Sequence, residues 1–208
     1  MSDRLSISPL YAILDTSLCN ARSPISILRE FLKGGVKLVQ LRAKELSSGE
    51  FFALAKEARQ LTHDAGVTFI VNDRADIALA CNADGVHLGQ DDLPLHAARK
   101  LLGPEKLIGI STHDLAQARS AELNGADYIG FGPIFGSTTK ETGYSARGLD
   151  MLQEICDAVK IPVVAIGGIN EANVGKVWKA GTDAVAIISD LMVAEDVGVK
   201  VGRVLSQK

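Results

Sequence analysis

Cysteine is scarce in this chain, and the cysteines that occur do not have the spacing of a metal or disulfide motif. Cys19, Cys81 and Cys156 are odd in number, far apart, and free of any CxxC pair. Small disulfide scaffolds need paired cysteines, and structural zinc sites usually use closely spaced ones. We therefore expect neither, and a reducing cytoplasmic setting is the simplest one.

The sequence also lacks long apolar runs and a strong charge of either sign. No apolar stretch approaches the about 18 residues that a membrane-spanning helix needs, and we expect no secretory signal, because no apolar segment follows Met1. The formal net charge is −3, and the lysines and arginines are scattered. These features predict no membrane partner and no nucleic-acid partner. Small molecules remain as the expected partners, and association into a homo-oligomer is left open.

What the 208 residues do contain is a regular alternation of short apolar runs with longer amphipathic segments. The apolar runs predict strands at Leu10–Leu14, Lys37–Arg42, Val67–Asn72, Gly85–Leu88, Leu107–Ser111, Tyr128–Gly132, Pro162–Gly167 and Ala184–Ser189. The segments between them predict helices at Pro24–Lys33, Ser48–Ala65, Leu93–Leu101, Leu115–Asn124, Leu149–Val159 and Glu171–Ala180. Largely apolar strands are typical of parallel strands covered by helices. The order therefore favours an α/β protein with a single (β/α)₈ TIM barrel, one catalytic domain over residues 1–208.

A short pattern marks the passage from helix to strand. Asn124-Gly125-Ala126-Asp127 and Ala180-Gly181-Thr182-Asp183 each place a glycine, a small residue and an aspartate between a predicted helix and the next strand. Glycine commonly ends helices because it adopts positive φ angles without strain. The pattern supports the predicted boundaries.

Active sites of such barrels lie at the C-terminal ends of the strands, and the second predicted strand ends in three polar residues. Alternation along the strand puts Gln40, Arg42 and Lys44 on one side. An arginine that can fork onto phosphate oxygens, beside a lysine, suits a diphosphate group. The alternative interpretation is a charged loop that merely begins after the strand.

Acidic residues end the next two strands. Asn72 and Asp73 close the third, and Asp91 and Asp92 follow the fourth. Carboxylates beside a phosphate are what Mg²⁺ needs, since it prefers oxygen ligands. Each aspartate could instead cap a following helix, and spacing alone does not choose between Asp91 and Asp92. His87, within the fourth strand, is interpreted as a barrel-interior residue with satisfied hydrogen bonds.

The fifth and sixth strands are followed by hydroxyl groups and a long loop. Ser111 is a candidate hydrogen-bonding residue, and no acidic partner for His113 can be recognised, which disfavours a Ser/His hydrolase. The glycine- and hydroxyl-rich segment 132–143 is typical of a lid or binding loop. Lys140, within it, could alternatively form a Schiff base.

The segments that follow the last two predicted strands also indicate phosphate binding. Barrels frequently bind phosphate there through backbone N–H groups and a short helix. Gly167 and Gly168 allow close backbone approach, and Ser189 adds a hydroxyl. A basic, metal-assisted anion site and a backbone anion site together predict two phosphorylated substrates.

Taken together, these motifs resemble the thiamine-phosphate synthase family. The resemblance rests on Gln40-Leu41-Arg42-Ala43-Lys44, Val71-Asn72-Asp73, His87-Leu88-Gly89-Gln90-Asp91-Asp92, Gly132-Pro133-Ile134-Phe135, Thr139-Lys140, Ile166-Gly167-Gly168-Ile169 and Ile188-Ser189. They follow the family's order and spacing from about Tyr11 to Leu191.

The resemblance implies a transferase that joins hydroxymethylpyrimidine diphosphate to thiazole phosphate and releases pyrophosphate. It implies pyrimidine-diphosphate contacts from Gln40, Arg42, Lys44 and Asn72, with Ser111 and Lys140 touching the pyrimidine or the leaving group. It implies Mg²⁺ at Asp73 and Asp92. It also implies thiazole-phosphate contacts from Ser137, Thr139, Gly168, Ile188 and Ser189.

Two departures from the family pattern stand out. Gly136-Ser137 replaces the usual Pro-Thr, which should loosen the loop, and Ala43 replaces a common Glu. Rival functions are a thiazole tautomerase-like isomerase, with His113 as acid or base, a silent regulatory paralogue, and a Schiff-base aldolase. The set Arg42, Lys44, Asp73, Asp92, Thr139 and Lys140 favours the synthase, because the rivals have less need of a diphosphate and metal site.

Overall fold

Eight parallel strands close into a barrel in the computed structural model, which describes residues 7–136 and 144–208. The strands are β1 (Leu10–Asp15), β2 (Leu38–Arg42), β3 (Thr68–Asn72), β4 (Gly85–Leu88), β5 (Leu107–Thr112), β6 (Tyr128–Phe131), β7 (Val163–Ile166) and β8 (Ala184–Ile187). They pair in sequence order, and β8 pairs with β1. The predicted (β/α)₈ barrel is confirmed, with strand ends that differ from the prediction by at most two residues.

Helices follow the strands and cover the outside of the barrel. They are α1 (Pro24–Lys33), α2 (Ser48–Asp64), α3 (Ala75–Ala80), α4 (Leu95–Leu102), α5 (Leu115–Leu123), α6 (Gly148–Ala158), α7 (Val174–Lys179), α8 (Ser189–Met192) and α9 (Val197–Leu205). A short 3₁₀ turn, Thr16–Leu18, follows β1. Within the described ranges, no helix is both long enough and apolar enough to span a membrane.

Three helices lie outside the predicted segments, and two begin later than predicted, α4 by two residues and α7 by three. Helices α3 and α8 have only 6 and 4 residues, too few to show a helical period, and α9 follows the last strand. The segment predicted to be helical from Glu171 begins at Val174 instead. The Asn170 side chain accepts hydrogen bonds from the N–H groups of Ala172 and Asn173, which holds a turn where a first helical turn was expected.

The strands separate two hydrophobic cores. The larger core lies between barrel and helices and includes Phe31, Phe69 and Phe131. The smaller one fills the barrel interior and contains Tyr11 and Tyr128, each 1% exposed. This division is the reason that most strands are apolar on both faces.

Room for the interior tyrosines comes from a glycine in the wall. A Cβ atom at Gly109 would lie 2.1 Å from Cζ of the Tyr128 ring. A side chain on that strand position would therefore displace the ring. Large and small residues must alternate around the interior for it to fill without overlap.

The aspartate of the helix-to-strand pattern links neighbouring strands. Asp127, before β6, accepts a hydrogen bond from the N–H of Ile108 at 2.7 Å, and Asp183, before β8, accepts one from Val163 at 2.8 Å. Asp84, before β4, does the same to Phe69. Each carboxylate satisfies an N–H at the start of the preceding strand, where the parallel ladder supplies no acceptor.

Gly109→Ala should destabilise the protein by about 1–3 kcal/mol, because the methyl group overpacks the barrel interior against Tyr128. The matched control is Gly202→Ala in α9, where a Cβ would meet nothing within 4 Å. That change should instead stabilise the helix by about 0.5–1 kcal/mol. Urea unfolding measures the free energy of unfolding of both variants. Equal changes in this quantity would contradict the close packing of Tyr128 against Gly109.

Candidate active site

A cavity of about 430 Å³ lies at the C-terminal ends of the strands. Its walls include seven of the residues expected to bind substrates: Gln40, Arg42, Asn72, Ser111, Gly168, Ile188 and Ser189. The volume falls within the range that small-molecule sites usually have. Side chains that are distant in sequence thus meet in one concave site.

Lys44, Asp73 and Asp92 form a charged cluster beside this cavity. Nζ of Lys44 lies 3.4 Å from Oδ2 of Asp73, and the Asp73 and Asp92 carboxyl groups contact each other. Burial raises the pKa of Asp73 above its usual value, the neighbouring Asp92 raises it further, and Lys44 acts in the opposite direction. Two carboxylates held together in a half-buried position favour binding of a cation.

The backbone brings these two aspartates together. Asp73 has a φ of 61°, and its N–H donates to the carbonyl of His87 on the neighbouring strand at 2.8 Å. Asp92 folds back onto its own loop, where Oδ2 accepts from the N–H of Gly89 at 2.6 Å. Asp91 is exposed. The cluster therefore contains Asp92 and not Asp91.

The alternative role of helix caps does not apply to these aspartates. The N-cap residue of α3 is Arg74, so Asp73 lies one position before it. The N-cap residue of α4 is Pro94, two positions after Asp92. The carboxylates therefore remain available for binding at the cavity.

Arg42 has a buried partner that sequence patterns did not reveal. Its Nη1 atom forms an ion pair with Oδ2 of Asp15, and the two side chains are 15% and 2% exposed. The other oxygen of Asp15 accepts from the N–H and the hydroxyl of Ser17 at 3.0 and 2.7 Å. Because both carboxylate oxygens are bonded, Asp15 holds the Arg42 guanidinium in a defined place at the cavity wall.

The loops after β7 and β8 form the other side of the cavity. Gly167 and Gly168 have φ angles of 102° and 65°. A Cβ at Gly168 would lie 2.6 Å from the carbonyl oxygen of Gly136. Only glycine fits this conformation and this close approach, and it leaves the backbone exposed to an anion.

An acidic side chain ties these two loops together. Oδ2 of Asp190, in α8, accepts from the N–H of Glu171 after β7 at 2.9 Å. Lys200 from α9 contacts both acids, at 3.0 Å from Glu171 and 3.1 Å from Asp190. Arg22 donates to the carbonyls of Met192 and Ala194 at the end of α8. These contacts stabilise the arrangement of the two loops around Ser189, and no sequence motif indicated them.

The floor of the cavity is polar and connected. His87 bonds Ser111 through Nε2 at 3.0 Å and Tyr128 through Nδ1 at 3.2 Å. The amide of Gln40 donates to the Tyr11 hydroxyl at 2.8 Å. The interpretation of His87 as a satisfied interior residue is confirmed, and one of its two contacts is with a predicted substrate-binding residue, Ser111.

Three predicted site residues, Ser137, Thr139 and Lys140, lie outside the described residues. Both flanks of that segment are described. Gly136 lines the cavity, and the Tyr144 ring stacks on His113 with centroids 3.9 Å apart. Nδ1 of His113 contacts the carbonyl oxygen of Gly132 at 2.6 Å, so this histidine contacts the backbone before the segment and the ring after it.

Comparison with known proteins identifies the family. The family model described as thiamine monophosphate synthase matches residues 10–191. This chain belongs to the thiamine monophosphate synthase family. Thiamine-phosphate synthase of Moorella thermoacetica is 50% identical over 188 residues, 90% of each chain. That of Syntrophomonas wolfei is 48% identical over 188 residues, again 90% of each chain.

A solved structure supports the same family at the level of the fold. Thiamine phosphate pyrophosphorylase from Pyrococcus furiosus is 41% identical, with a TM-score of 0.88 over 96% of this chain and 94% of that one. The family resemblance drawn from the motifs is confirmed. These relatives give no support to a tautomerase or a silent regulatory paralogue.

Asp15→Ala should destabilise the protein by about 3 kcal/mol, since it leaves the largely buried Arg42 without its partner. The control is Asp76→Ala, which breaks the more exposed Arg74–Asp76 pair, with side chains 36% and 61% exposed. Such surface pairs contribute less than about 1 kcal/mol. Urea unfolding compares the two variants. A similar loss in the free energy of unfolding for both would contradict the conclusion that Asp15 holds the Arg42 guanidinium in place.

Asp73→Asn should make the metal-free protein more stable at neutral pH. A carboxyl group whose pKa is raised in the folded state opposes folding once it is ionised, and this opposition disappears as the pH falls through the folded pKa. The gain should therefore shrink in acidic buffer. Asp91→Asn, at an exposed carboxylate, is the control. Lower stability of Asp73→Asn at neutral pH would contradict the conclusion that burial and Asp92 raise the pKa of Asp73.

Proposed function

We propose that this protein is a thiamine-phosphate synthase that joins hydroxymethylpyrimidine diphosphate to thiazole phosphate, with Mg²⁺ as cofactor. The products are thiamine phosphate and pyrophosphate. The proposal also covers a cytoplasmic setting, which three free cysteines, Cys19, Cys81 and Cys156, support. Membership of the family makes the protein a transferase that acts on small molecules.

The observation that carries the proposal is the contact of Lys44, Asp73 and Asp92 beside the wall that holds Arg42. Lys44, Asp73 and Asp92 follow three different strands. Together with Arg42, they combine two cations with two carboxylates. Cations bind the diphosphate directly, and the carboxylates bind its metal. A site for a single phosphate monoester would not need the carboxylate pair.

The carboxylate pair fits Mg²⁺. Among the described residues there is no cluster of three or more acidic, histidine or cysteine side chains suited to a metal. Mg²⁺ characteristically uses one or two carboxylates and takes its remaining ligands from substrate phosphates and water. The raised pKa of Asp73 fits as well, because a cation would relieve the repulsion between the two carboxylates. When bound, Mg²⁺ would neutralise charge on the diphosphate oxygens.

The pyrimidine diphosphate is proposed to lie with its ring on the floor of the cavity. Gln40, Asn72 and Ser111 would contact the ring or its linking carbon, while Arg42 and Lys44 would bind the diphosphate. All but Lys44 line the cavity. Lys140 belongs to the same proposal on the strength of the family motif.

The thiazole phosphate is proposed to bind on the other side of the cavity, at the loop after β7 that contains Gly167 and Gly168, called the glycine loop here. Its phosphate would accept hydrogen bonds from backbone N–H groups near Gly168, Ile188 and Ser189 and from the Ser189 hydroxyl. The close backbone approach at Gly168 supports this. Ser137 and Thr139 are proposed to complete the thiazole contacts.

The proposed reaction is a dissociative substitution at the carbon that links the pyrimidine to the diphosphate. The carbon–oxygen bond breaks, and its electron pair leaves with pyrophosphate. Arg42 and Lys44 stabilise the charge that accumulates on the leaving group. The electron-rich ring delocalises the positive charge, and the thiazole nitrogen then donates its lone pair to form the carbon–nitrogen bond. No protein nucleophile takes part, so the site acts by positioning and by charge stabilisation.

The direct test is turnover by purified protein supplied with both substrates and Mg²⁺. We expect pyrophosphate and thiamine phosphate in equal amounts, and no release of pyrophosphate when chelator removes the metal. Asp73→Asn and Asp92→Asn should each lower kcat/KM at least about tenfold, which corresponds to about 1.4 kcal/mol of transition-state stabilisation. The neighbouring Asp91→Asn is the matched control and should retain activity.

Two outcomes would contradict the proposal. Wild-type turnover by both aspartate variants would contradict the assignment of Asp73 and Asp92 as Mg²⁺ ligands. An imine trapped at Lys140 by borohydride, with no pyrophosphate formed, would favour the Schiff-base aldolase. Lys140→Ala should lower kcat through loss of charge stabilisation, without any trapped adduct in the parent protein.

A further inference from the structure

Four charged side chains form a network behind the glycine-loop side of the cavity, called the α9 network here. Glu171 follows the glycine loop, Asp190 lies in α8, and Lys200 and Arg203 lie in α9. Nζ of Lys200 is 3.0 Å from Oε2 of Glu171 and 3.1 Å from Oδ1 of Asp190. Nε of Arg203 is 3.4 Å from Oε1 of Glu171. Two cations on one helix thus balance two carboxylates on the segments after β7 and β8.

One of these carboxylates belongs to a residue of the cavity wall. Asp190 comes directly after Ser189, and both residues line the cavity, as does Asn170 after β7. Oδ2 of Asp190 accepts a hydrogen bond from the N–H of Glu171, the residue after Asn170, at 2.9 Å. The Asp190 carboxylate is therefore bonded to the backbone of the same wall that is proposed to hold the thiazole phosphate. A negative charge in this position would repel a second anion.

Lys200 is the cation that compensates for this charge. Its side chain is 16% exposed, whereas that of Arg203 is 59% exposed. Burial acts to lower the pKa of Lys200, but hydrogen bonds and charge from Glu171 and Asp190 raise it above its usual value overall. The ammonium group therefore stays protonated. Because water screens it weakly, its charge acts on Asp190 more strongly than a surface charge would.

We infer that Lys200 is a positioning residue that acts through Asp190 and makes the wall at Ser189 able to bind a phosphate dianion. The inference rests on the proposed function, in which the thiazole phosphate binds at Ser189 and the glycine loop. Among the described residues that line the cavity, Lys200 is not included, so it acts through its ion pair and makes no contact with the phosphate. Without Lys200, the Asp190 carboxylate would be left uncompensated beside the bound anion.

The first test measures the KM of Lys200→Met for each substrate. KM for the thiazole phosphate should rise about tenfold, because an uncompensated carboxylate in a partly buried wall repels the dianion. KM for the pyrimidine diphosphate and kcat should stay within about twofold of the wild-type values, since the change is confined to one side of the cavity. Lys200→Arg keeps the charge and should restore the KM. If Lys200→Met does not fold, Lys200→Gln makes the same test.

The matched control is Arg203→Met, on the same helix and three positions later. Arg203 is also paired with Glu171, but it is more exposed, and exposed ion pairs contribute little. This variant should keep the KM for the thiazole phosphate within about twofold of wild type. An equal rise for Arg203→Met and Lys200→Met would mean that both cations merely hold the loop, and it would overturn the inference.

A double variant separates charge from architecture. An asparagine at position 190 can still accept the hydrogen bond from the N–H of Glu171, but it carries no negative charge. Asp190→Asn by itself should therefore not raise the KM for the thiazole phosphate. Combined with Lys200→Met, it should return the KM to within about twofold of wild type, because the charge that Lys200 compensates is gone. A double variant as impaired as Lys200→Met alone would show that Lys200 does not act through Asp190.

A binding measurement needs no turnover. Calorimetry compares thiazole phosphate with thiazole alcohol, which lacks the phosphate, in wild-type protein and in Lys200→Met. The variant should bind the phosphate about tenfold more weakly and the alcohol with unchanged affinity. An equal loss for both ligands, or equal affinity of the two proteins for the phosphate, would overturn the inference. Should the wild-type protein form no thiamine phosphate, the proposed function fails separately, and this measurement still decides the role of Lys200.

Discussion

The site depends on the register of the parallel strands around the closed barrel. In the β1–β2 pair Asp15 lies opposite Arg42, and in the β3–β4 pair Asn72 lies opposite His87. A shift of one residue in either pair would turn these side chains to the other face of the sheet. The ion pair at the cavity wall and the meeting of Asp73 with Asp92 both follow from this register. Closure between β8 and β1 then brings the glycine loop around to the opposite side of the same cavity.

Local charge at this rim differs from the charge of the whole molecule. The chain carries a formal net charge of −3, yet Arg42 and Lys44 lie together at the site. Each has an acidic neighbour, Asp15 for Arg42 and Asp73 for Lys44. The partners differ in kind. Asp15 is fully bonded and buried, so it orients its arginine, whereas Asp73 is partly exposed and contacts a second carboxylate. Burial and the neighbouring Asp92 raise the pKa of Asp73, and carboxyl groups with such shifted pKa values are frequent at functional sites.

The barrel interior combines packing with recognition. Gly109 and Gly130 leave space for the rings of Tyr128 and His87, so the interior holds aromatic groups whose polar atoms point at one another. A purely aliphatic interior would fill the same volume. The tyrosines and the histidine instead connect Gln40 on β2 with Ser111 on β5 through hydrogen bonds.

Much of the cavity wall could be predicted from residues that interrupt apolar strands. Gln40, Arg42, Asn72 and Ser111 were recognisable because the C-terminal ends of parallel strands must meet at one rim. The choice between Asp91 and Asp92 could not be made from spacing, since both follow the same strand. The family motif favoured Asp92, and its contacts with Asp73 and with the Gly89 amide support that choice.

The amino-acid sequence by itself determined the alternation of strands and helices, the barrel, and the residues at the strand ends, because periodicity and turn chemistry act over a few neighbouring residues. Tertiary structure alone decided which partners those residues have. Asp15 and Arg42 are 27 positions apart, and Tyr11 and Tyr128 are 117 apart. Contacts over such separations have no local pattern, since they arise from closure of the sheet and from the space that glycines leave inside it.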